Sequence, residues 1–406
     1  MLATLETDAE EFRRRRAEAR RCGTPAWLWP EISQASWAEA ARQISRVVTR
    51  VFAGKQPSLT SSDTQALSLA CYTTGLGPLL GWWVETGVLR ADSETAALLG
   101  VHLDHARLRE RRVTALSRQI VRRLTEAGVD TLVLKGGHTA HAYFPHPATR
   151  PSSDLDLLVR EDQVERAEAV LASRGFDSTS RQLRESNWAP AGQARHPRSL
   201  WLVHADDPWS VDLHSSLDLS PSAGGQFARL DDAGPFETRD RWRPDETAYV
   251  LRQPLLLLHL AAHASGGLHS LTLLRMVEII LVVRRDLEEG RLSWDEFLET
   301  AERIGAAGAA FPALRLSEKL VPGTVPRRVL ERCALAAPRR ARAIVERLEP
   351  ATAHRVERAS VTEHFMWVTG LGGWTRQLRS DLFPTSGMWP VYQARAYRLL
   401  RGRITR

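Results

Sequence analysis

Residues 150–159 read RPSSDLDLLV, and they predict the central strand of the chain. Prolines in and just before it force a loop, after which apolar residues alternate with Asp154 and Asp156. The alternation predicts a β-strand that is entered directly from the loop. Because successive side chains of a strand point to opposite faces, both aspartates must emerge from the same face.

Two carboxylates held side by side call for a positive charge between them. Asp154 and Asp156 repel each other, and the repulsion would raise the pKa of each group. A shared divalent cation removes this conflict, and hard carboxylate oxygens favour Mg²⁺. We therefore predict that Asp154 and Asp156 bind magnesium.

A third acid lies in a second alternating segment, residues 210–214, which read SVDLH. If this predicted strand neighbours the first, Asp212 completes a cluster of three carboxylates. Such a cluster can seat two Mg²⁺ ions for in-line attack at phosphorus, and Asp212 can accept the proton of the attacking group. The candidate catalytic and metal-binding residues are Asp154, Asp156 and Asp212.

A short buried strand, residues 131–134, ends at Lys135-Gly136-Gly137, where a helix is predicted to begin. Bare glycine backbone lets a phosphate approach, and a helix N-terminus offers unpaired N–H groups. We expect Gly136 and Gly137 to form a phosphate seat to which Lys135 adds a point charge. The alternative is that Lys135 only caps the edge of the sheet.

Other polar residues of this region are candidates for phosphate contacts. Arg150 can clamp a phosphate oxygen, and Ser153 adds a hydroxyl beside the aspartates. Three histidines follow the glycines and are within reach of a phosphate, although their spacing singles none of them out: His138, His141 and His146.

The remaining histidines have simpler explanations. His214 shares the strand face of Asp212, so it can orient an acceptor, bind metal or hydrogen-bond the carboxylate of Asp212; we favour the last role. His259 and His263 have the spacing of a metal pair, yet no glutamate of a zinc-protease motif lies between them. We expect both to be packed helix residues.

The chain around these motifs is patterned as strands in the centre and helices at both ends. Predicted helices at 138–143 and 161–174 and a strand hairpin formed by 199–204 and 209–214 complete the central block. Helical spacing dominates elsewhere, notably at 37–51, 96–124, 245–265, 271–287 and 294–304. We divide the chain into a helical region (1–126), an α/β core (127–243) and a second helical region (244–406).

The motifs together resemble the uncharacterised nucleotidyltransferase family of the DNA polymerase β superfamily. The resemblance rests on residues 134–137 (LKGG), Tyr143, residues 150–159 and residues 211–214 (VDLH), and it extends over about 125–320. Many members of the superfamily have Gly-Ser before the first helix, whereas this chain has Lys135-Gly136-Gly137.

The resemblance implies an α+β or α/β fold, a minimal mixed-sheet core flanked by helices, to which large helical N- and C-terminal regions are added. It also implies an NTP substrate, such as ATP, bound with magnesium at Asp154, Asp156 and Asp212. Some relatives accompany pathways that make ribosomal peptides such as lasso peptides, so a small molecule or a peptide is the expected acceptor.

The composition of the chain argues against nucleic acid as a binding partner. The net charge is +7, but three of the 55 basic residues are lysine and the arginines are dispersed, which fits a GC-rich genome better than a phosphate-binding surface. The one dense run, residues 13–16, is interleaved with glutamates as on a solvated helix face, so nucleic acid is an unlikely partner.

No membrane segment or disulfide framework is predicted. The three cysteines are widely spaced, the start of the chain lacks an apolar signal sequence, and the apolar stretches are too short to span a bilayer. A cytoplasmic location is the expectation, and the oligomeric state stays open.

Three functions remain open, in order of preference. The first is magnesium-dependent transfer of a nucleotidyl or related phosphoryl group to a hydroxyl or phosphate, in peptide tailoring among other settings. The second is a catalytically silent, nucleotide-binding regulatory or scaffold protein, and the third is an RNA-directed enzyme or RNA binder.

Overall fold

The computed structural model describes residues 7–22, 25–182, 184–194, 196–219, 228–266, 271–354 and 365–382. Among these residues, helices dominate on both sides of a mixed sheet. The helices α1 to α5 precede this sheet: Ala9–Cys22, Gln34–Phe52, Thr64–Thr74, Gly77–Glu85 and Ser93–Glu126. Two short strands, β1 (Ser58–Leu59) and β2 (Arg90–Ala91), pair in parallel between them.

The central region contributes two helices and seven strands. The helices are α6 (Lys135–Ala142) and α7 (Val164–Ser173). The strands β3 to β9 are Thr131–Val133, Asp154–Val159, Phe176–Arg181, Glu185–Pro190, Ser210–His214, Arg239–Arg241 and Tyr249–Leu251. The helices α8 to α14 follow: Leu255–Ser265, Leu273–Glu288, Trp294–Arg303, Ala307–Leu320, Arg327–Ala336, Arg339–Arg347 and Gly370–Leu382.

The seven central strands form one mixed sheet with the order β5-β6-β7-β4-β3-β9-β8. The strand β4 lies in the middle, antiparallel to β3 and parallel to β7. Helices flank this sheet and extend far beyond it, which confirms the predicted fold class of an α+β core with helical additions. The division of the chain at residues 126 and 243 stays a prediction.

Alternation along β4 separates two apolar cores. Leu155, Leu157 and Val159 pack on one face of the sheet, against α7 and the last turns of α5. Leu158 points to the other face and belongs to a larger core that includes α8 and α9. Because Asp154 and Asp156 alternate with the first set, they share the face of Leu158 and of α8 and α9.

The predicted hairpin is wrong. Residues 210–214 do form a strand, but its partners are β4 and β6, and residues 199–204 form no strand. The backbone N–H groups of Arg198 and His204 donate instead to the side-chain carboxylate of Asp207, at 2.6 and 2.8 Å. The hairpin partner is replaced by β6, whose polar sequence ESNWAP gave little strand signal.

The helix predicted from residue 245 begins only at Leu255. Residues 249–251 form β9, which pairs with β3 and β8 and so continues the sheet beyond residue 243. Pro254 is the signal that was missed. Proline disfavours the helical conformation of the residue before it, so the helix could not continue upstream of Gln253.

The long helix α5 is capped by Asp92. The carboxylate of Asp92 accepts a hydrogen bond of 2.8 Å from the backbone N–H of Thr95, which satisfies one of the unpaired donors of the first turn.

Within the described residues, no helix is long and apolar enough to cross a bilayer.

Candidate functional site

The strands β4 and β7 bring the predicted acids together. They are parallel neighbours, and their register pairs Asp156 with Asp212 and Asp154 with Ser210. In-register residues of adjacent strands point to the same side of the sheet, so the three aspartates occupy one face. We predicted that these two strands would be neighbours, although their aspartates are more than fifty residues apart in sequence.

Asp156 is the most enclosed of the three. Its Oδ1 accepts a hydrogen bond from Lys135 Nζ at 2.6 Å and lies 3.1 Å from His214 Nε2. Burial opposes ionisation of Asp156, but the charge of Lys135 and the contact with His214 hold its pKa well below the usual value. Asp156 is therefore ionised while buried.

Among the described residues, no cation forms a salt bridge with Asp154 or Asp212, and the pKa of each is raised rather than lowered. Burial and the charge of Asp156 raise the pKa of Asp154, whose two oxygens lie near the hydroxyls of Ser152 and Ser153. Burial, followed by the charges of Asp154 and Asp156, raises the pKa of Asp212 to about 6. The acidic face thus carries more negative charge than Lys135 offsets.

Asp212 is oriented by a residue that we did not predict. Asn187 lies on β6 opposite Asp212, and its Nδ2 donates to Asp212 Oδ1 at 3.0 Å. The hydroxyl of Ser210 donates to the same oxygen at 3.2 Å. Nothing in the sequence around Asn187 signalled this contact, because it depends on the pairing of β6 with β7.

His214 contacts a different carboxylate from the one we predicted. Its Nε2 lies against Asp156, and its Nδ1 is 3.7 Å from Glu185. The register partner of His214 is Leu158, and Asp156 lies two residues before Leu158 on the same face of the neighbouring strand. His214 therefore supports Asp156, whereas Asp212 relies on Asn187.

The Lys135-Gly136-Gly137 junction is built for close packing. Lys135 has a φ of 41°, and within the described residues no other non-glycine residue has a positive φ. A Cβ on Gly136 would lie 2.1 Å from Arg150 Nη1, and one on Gly137 would lie 2.8 Å from Val133 Cγ1. The absence of side chains lets Arg150 and the strand β3 approach the first turn of α6.

Arg150 has a carboxylate partner in the structure. Its Nε and Nη2 donate to the two oxygens of Glu278 on α9, at 3.0 and 3.2 Å, and Thr139 on α6 also donates to Glu278. Arg150 and Glu278 are both largely buried. Arg150 thus connects the loop before β4 to α6 and α9. To bind a phosphate as predicted, the guanidinium of Arg150 would have to contact Glu278 and the phosphate at the same time.

The other histidines divide between packing and local contacts. His138 is buried against Tyr143, and His146 caps a short 3₁₀ helix by accepting from the backbone N–H of Ala148. His141 lies 3.3 Å from the hydroxyl of Thr114. His259 and His263 lie on α8 with ring centres 5.9 Å apart; His259 is buried and His263 is partly buried.

A metal ion would suit the donors of this site in kind. Among the described residues, no three acidic, histidine or cysteine side chains already converge as a closed ligand set. Asp156 Oδ2 and Asp212 Oδ2 nevertheless accept no hydrogen bond from the described part of the chain, and they belong to register partners. Hard oxygens with excess negative charge are the donors that Mg²⁺ takes.

A cleft adjoins Asp154 on the side of α5 and α6. It is bordered by the glycine junction, by the loop before β4 and by polar residues of α5. Its lining includes Glu110, Thr114, Ser117, Gly136, Gly137, Arg150, Ser152, Asp154 and Trp242. Of the three aspartates, Asp154 lines this cleft, beside the turn that begins α6.

Comparison with known proteins agrees with this geometry. The family model described as "Uncharacterised nucleotidyltransferase" matches residues 63–322, which is more than half of the chain and includes every candidate site residue. No curated protein and no solved structure matches the chain significantly. The matched region runs from the start of the α3 segment to α11 and therefore includes the whole sheet.

The family assignment and the paired acidic strands point to the same chemistry. A nucleotidyltransferase needs a site that holds the charged phosphates of a nucleotide, and carboxylates can provide one through bound divalent cations. The chain belongs to the family of uncharacterised nucleotidyltransferases and is a transferase that acts on nucleotides.

Proposed function

We propose that this protein transfers a nucleotidyl group, or a related phosphoryl group, from an NTP to a hydroxyl or phosphate of a small molecule or peptide. The register of Asp156 with Asp212 carries the proposal, because it supplies adjacent carboxylates on one face at the centre of the sheet. Asp154, two residues from Asp156 on the same strand, adds the third.

Asp154, Asp156 and Asp212 are the residues to which we assign Mg²⁺, with two ions as the expected number. Bound there, the metal would supply charge neutralisation for the phosphates of the NTP. Asp212 also lies at the outer side of the pair, where Asn187 fixes one of its oxygens. We assign it the further role of accepting the proton of the attacking hydroxyl.

The cleft beside Asp154 is the place for the substrates. Gly136, Gly137 and Ser152 line it, and the exposed Ser153 follows directly in the chain, with its hydroxyl 3.3 Å from Asp154 Oδ2. Lys135 holds Asp156 in the structure and lies close enough to the acidic face to reach a phosphate by rotating its flexible side chain. A cytoplasmic location, expected from the sequence, stays a prediction.

The test is release of pyrophosphate. Purified protein is incubated with each NTP, Mg²⁺ and a panel of hydroxyl- or phosphate-bearing small molecules and peptides, and product mass identifies the group that was transferred. Asp156→Asn should abolish turnover. Asp177→Asn, an exposed change on β5 away from the acidic face, is the matched control and should leave turnover intact.

Two outcomes would contradict the proposal. Turnover that persists in Asp156→Asn would show that the acidic face does not take part in the reaction. Tight NTP binding without product from any acceptor would favour a nucleotide-binding regulatory or scaffold protein, and RNA binding with a steep salt dependence would favour an RNA-directed function.

A further inference from the structure

The helices α8 and α9 cover the sheet face that carries Asp154 and Asp156. Leu158, on that same face of β4, packs in one core with apolar residues of α8 and α9 such as Leu258 and Val277. Glu278 of α9 reaches Arg150 on the loop before β4. Polar side chains on the inner sides of these two helices are therefore neighbours of the acidic face.

Arg275 is one such side chain, one helical turn before Glu278. It is partly buried, and its Nη1 donates to His263 Nδ1 at 2.8 Å. Within the described part of the chain, no carboxylate lies within 4.0 Å of its guanidinium, although Arg150 nearby has Glu278. Burial lowers the pKa of Arg275, while the charges of Glu278, Asp156 and Asp154 act in the opposite direction. Arg275 thus lies within electrostatic range of the acidic face and is not neutralised by it.

His263 fixes the direction of Arg275. Because Arg275 donates to Nδ1, this nitrogen carries no hydrogen, and the neutral ring has its hydrogen on Nε2. Burial and then the charges of Lys135 and Arg275 hold the pKa of His263 well below its usual value, which agrees with a neutral ring. A guanidinium braced by a neutral imidazole keeps its full charge for another ligand.

His259 provides a second, independent observation. Its side chain is 3% exposed, and neither ring nitrogen has a hydrogen-bond partner among the described residues. At least one of these nitrogens always carries a hydrogen, and a buried donor without an acceptor is unfavourable. The charged groups that act on it are those of the site: Lys135, Asp156, His214 and Arg275.

A buried imidazole without a hydrogen-bond partner and a guanidinium without a carboxylate partner, both near a row of carboxylates, suit an anion that has several oxygens. We propose that Arg275, positioned by His263, binds the phosphate chain of the nucleoside triphosphate, and that His259 lies beside the same chain. The proposal rests on the proposed function and adds to it a cationic side formed by α8 and α9, across from the acidic side formed by β4 and β7.

The experiment measures binding without turnover. Inorganic tripolyphosphate and ATP, each with Mg²⁺, are titrated calorimetrically into the full-length protein and into Arg275→Gln. A charge-assisted hydrogen bond lost from the phosphate chain should weaken both affinities about 10- to 100-fold. Arg275→Lys should recover part of the loss, because it restores the charge without the planar fork.

Arg284 offers a matched control on the same helix. Its Nη1 donates to the backbone carbonyl of Phe52, away from the sheet. Arg284→Gln removes the same charge and should leave both affinities unchanged. Equal weakening by Arg275→Gln and Arg284→Gln would overturn the proposal, since it would show a general effect of net charge. Circular dichroism and thermal unfolding establish that each variant is folded.

A double-mutant cycle tests the positioning role of His263. His263→Leu removes the acceptor of Arg275 and should weaken tripolyphosphate binding less than Arg275→Gln does. Combined with Arg275→Gln, it should cause no further loss, because the two residues act through one contact. Fully additive losses would show that His263 does not act through Arg275.

The outcomes separate this inference from the proposed function. Arg275-dependent tripolyphosphate binding without group transfer to any acceptor would support the inference and contradict the transferase assignment for these acceptors. Transfer with an unchanged KM for the NTP in Arg275→Gln would contradict the inference alone. Absence of tripolyphosphate and ATP binding in the unsubstituted protein would overturn both.

Discussion

Arg150 and Glu278 meet through two hydrogen bonds of 3.0 and 3.2 Å although 128 residues separate them in the chain. Their side chains are 11% and 4% exposed, so the pair is removed from water. It joins the loop before β4, which carries Asp154, to α9, which carries Arg275. The acidic side and the proposed cationic side of the site are therefore connected by one buried ion pair.

Breaking this pair should destabilise the fold strongly. Arg150→Met leaves the carboxylate of Glu278 buried without its cation, and the free energy of unfolding should fall by about 3–5 kcal/mol. Urea denaturation measures the change. Replacing both partners, as in Arg150→Met with Glu278→Leu, should cost less than the sum of the single changes, because no uncompensated charge stays behind.

The control for that experiment is an exposed pair. Arg327 and Glu331 lie one turn apart on α12, with side chains 91% and 58% exposed. Arg327→Met should change the free energy of unfolding by less than about 1 kcal/mol, because solvent already screens the pair. Similar losses at the two pairs would show that the burial of Arg150 is not what matters.

Gly136→Ala should disturb the same connection from the other side. The added Cβ would lie 2.1 Å from Arg150 Nη1, and Arg150 cannot move away without losing Glu278. We expect a loss of about 1–3 kcal/mol in the free energy of unfolding. Gly100→Ala is the matched control: a Cβ there meets nothing within 4 Å, so the gain in helix propensity should stabilise α5 by up to about 1 kcal/mol.

Magnesium should stabilise the protein through its carboxylates. A ligand that binds only the folded state raises the melting temperature, so adding Mg²⁺ should raise Tm and a chelator should reverse the shift. Asp212→Asn and Asp156→Asn should remove most of this shift, whereas Asp177→Asn should keep it. Differential scanning fluorimetry over a range of Mg²⁺ concentrations measures it. An equal shift in all variants would place the metal elsewhere.

Acid should destabilise the protein partly through His102. Burial and then the charge of His105 lower the pKa of His102 to about 4, against about 6.5 in the unfolded chain. As the pH falls from 6.5 toward 4, His102 is protonated in the unfolded chain but stays neutral in the folded protein. The free energy of unfolding therefore decreases across this pH range. The contribution reaches about 3 kcal/mol at its low end.

The measurement compares pH profiles. The free energy of unfolding of the unsubstituted protein should fall more steeply between pH 6.5 and 4 than that of His102→Gln, which has no proton to take up. His102→Gln lowers stability at pH 7 to the extent that its amide fits the space beside Gly77 poorly, so the slopes and not the absolute values decide. Parallel profiles would contradict the assignment.

Local pattern was sufficient for the acidic face. The two-residue spacing of Asp154 and Asp156 sets their common direction by backbone geometry, and the alternation around Asp212 does the same for its strand. The neighbouring position of the two strands could be predicted because a shared metal needs it. The same reasoning identified the fold class and the turn at Lys135.

Contacts between residues that are distant in the chain could not be predicted from local sequence patterns. Glu278 could not be identified as the partner of Arg150, because 128 residues separate them and no local pattern links the two. The hairpin failed for a related reason: residues 199–204 are apolar enough for a strand, but the carboxylate of Asp207 satisfies their flanking N–H groups. The partner of His214 depended on which neighbouring strand its ring faces, and strand spacing in the sequence does not specify this.

The 2.6 Å contact between Lys135 and Asp156 gives the site its own counterion. A compact acidic surface would normally resist assembly, since every carboxylate brought near the others adds repulsion. One ammonium supplied from within the chain removes part of that repulsion as soon as β3 and β4 pair. The three carboxylates can therefore be brought together with less dependence on a bound cation.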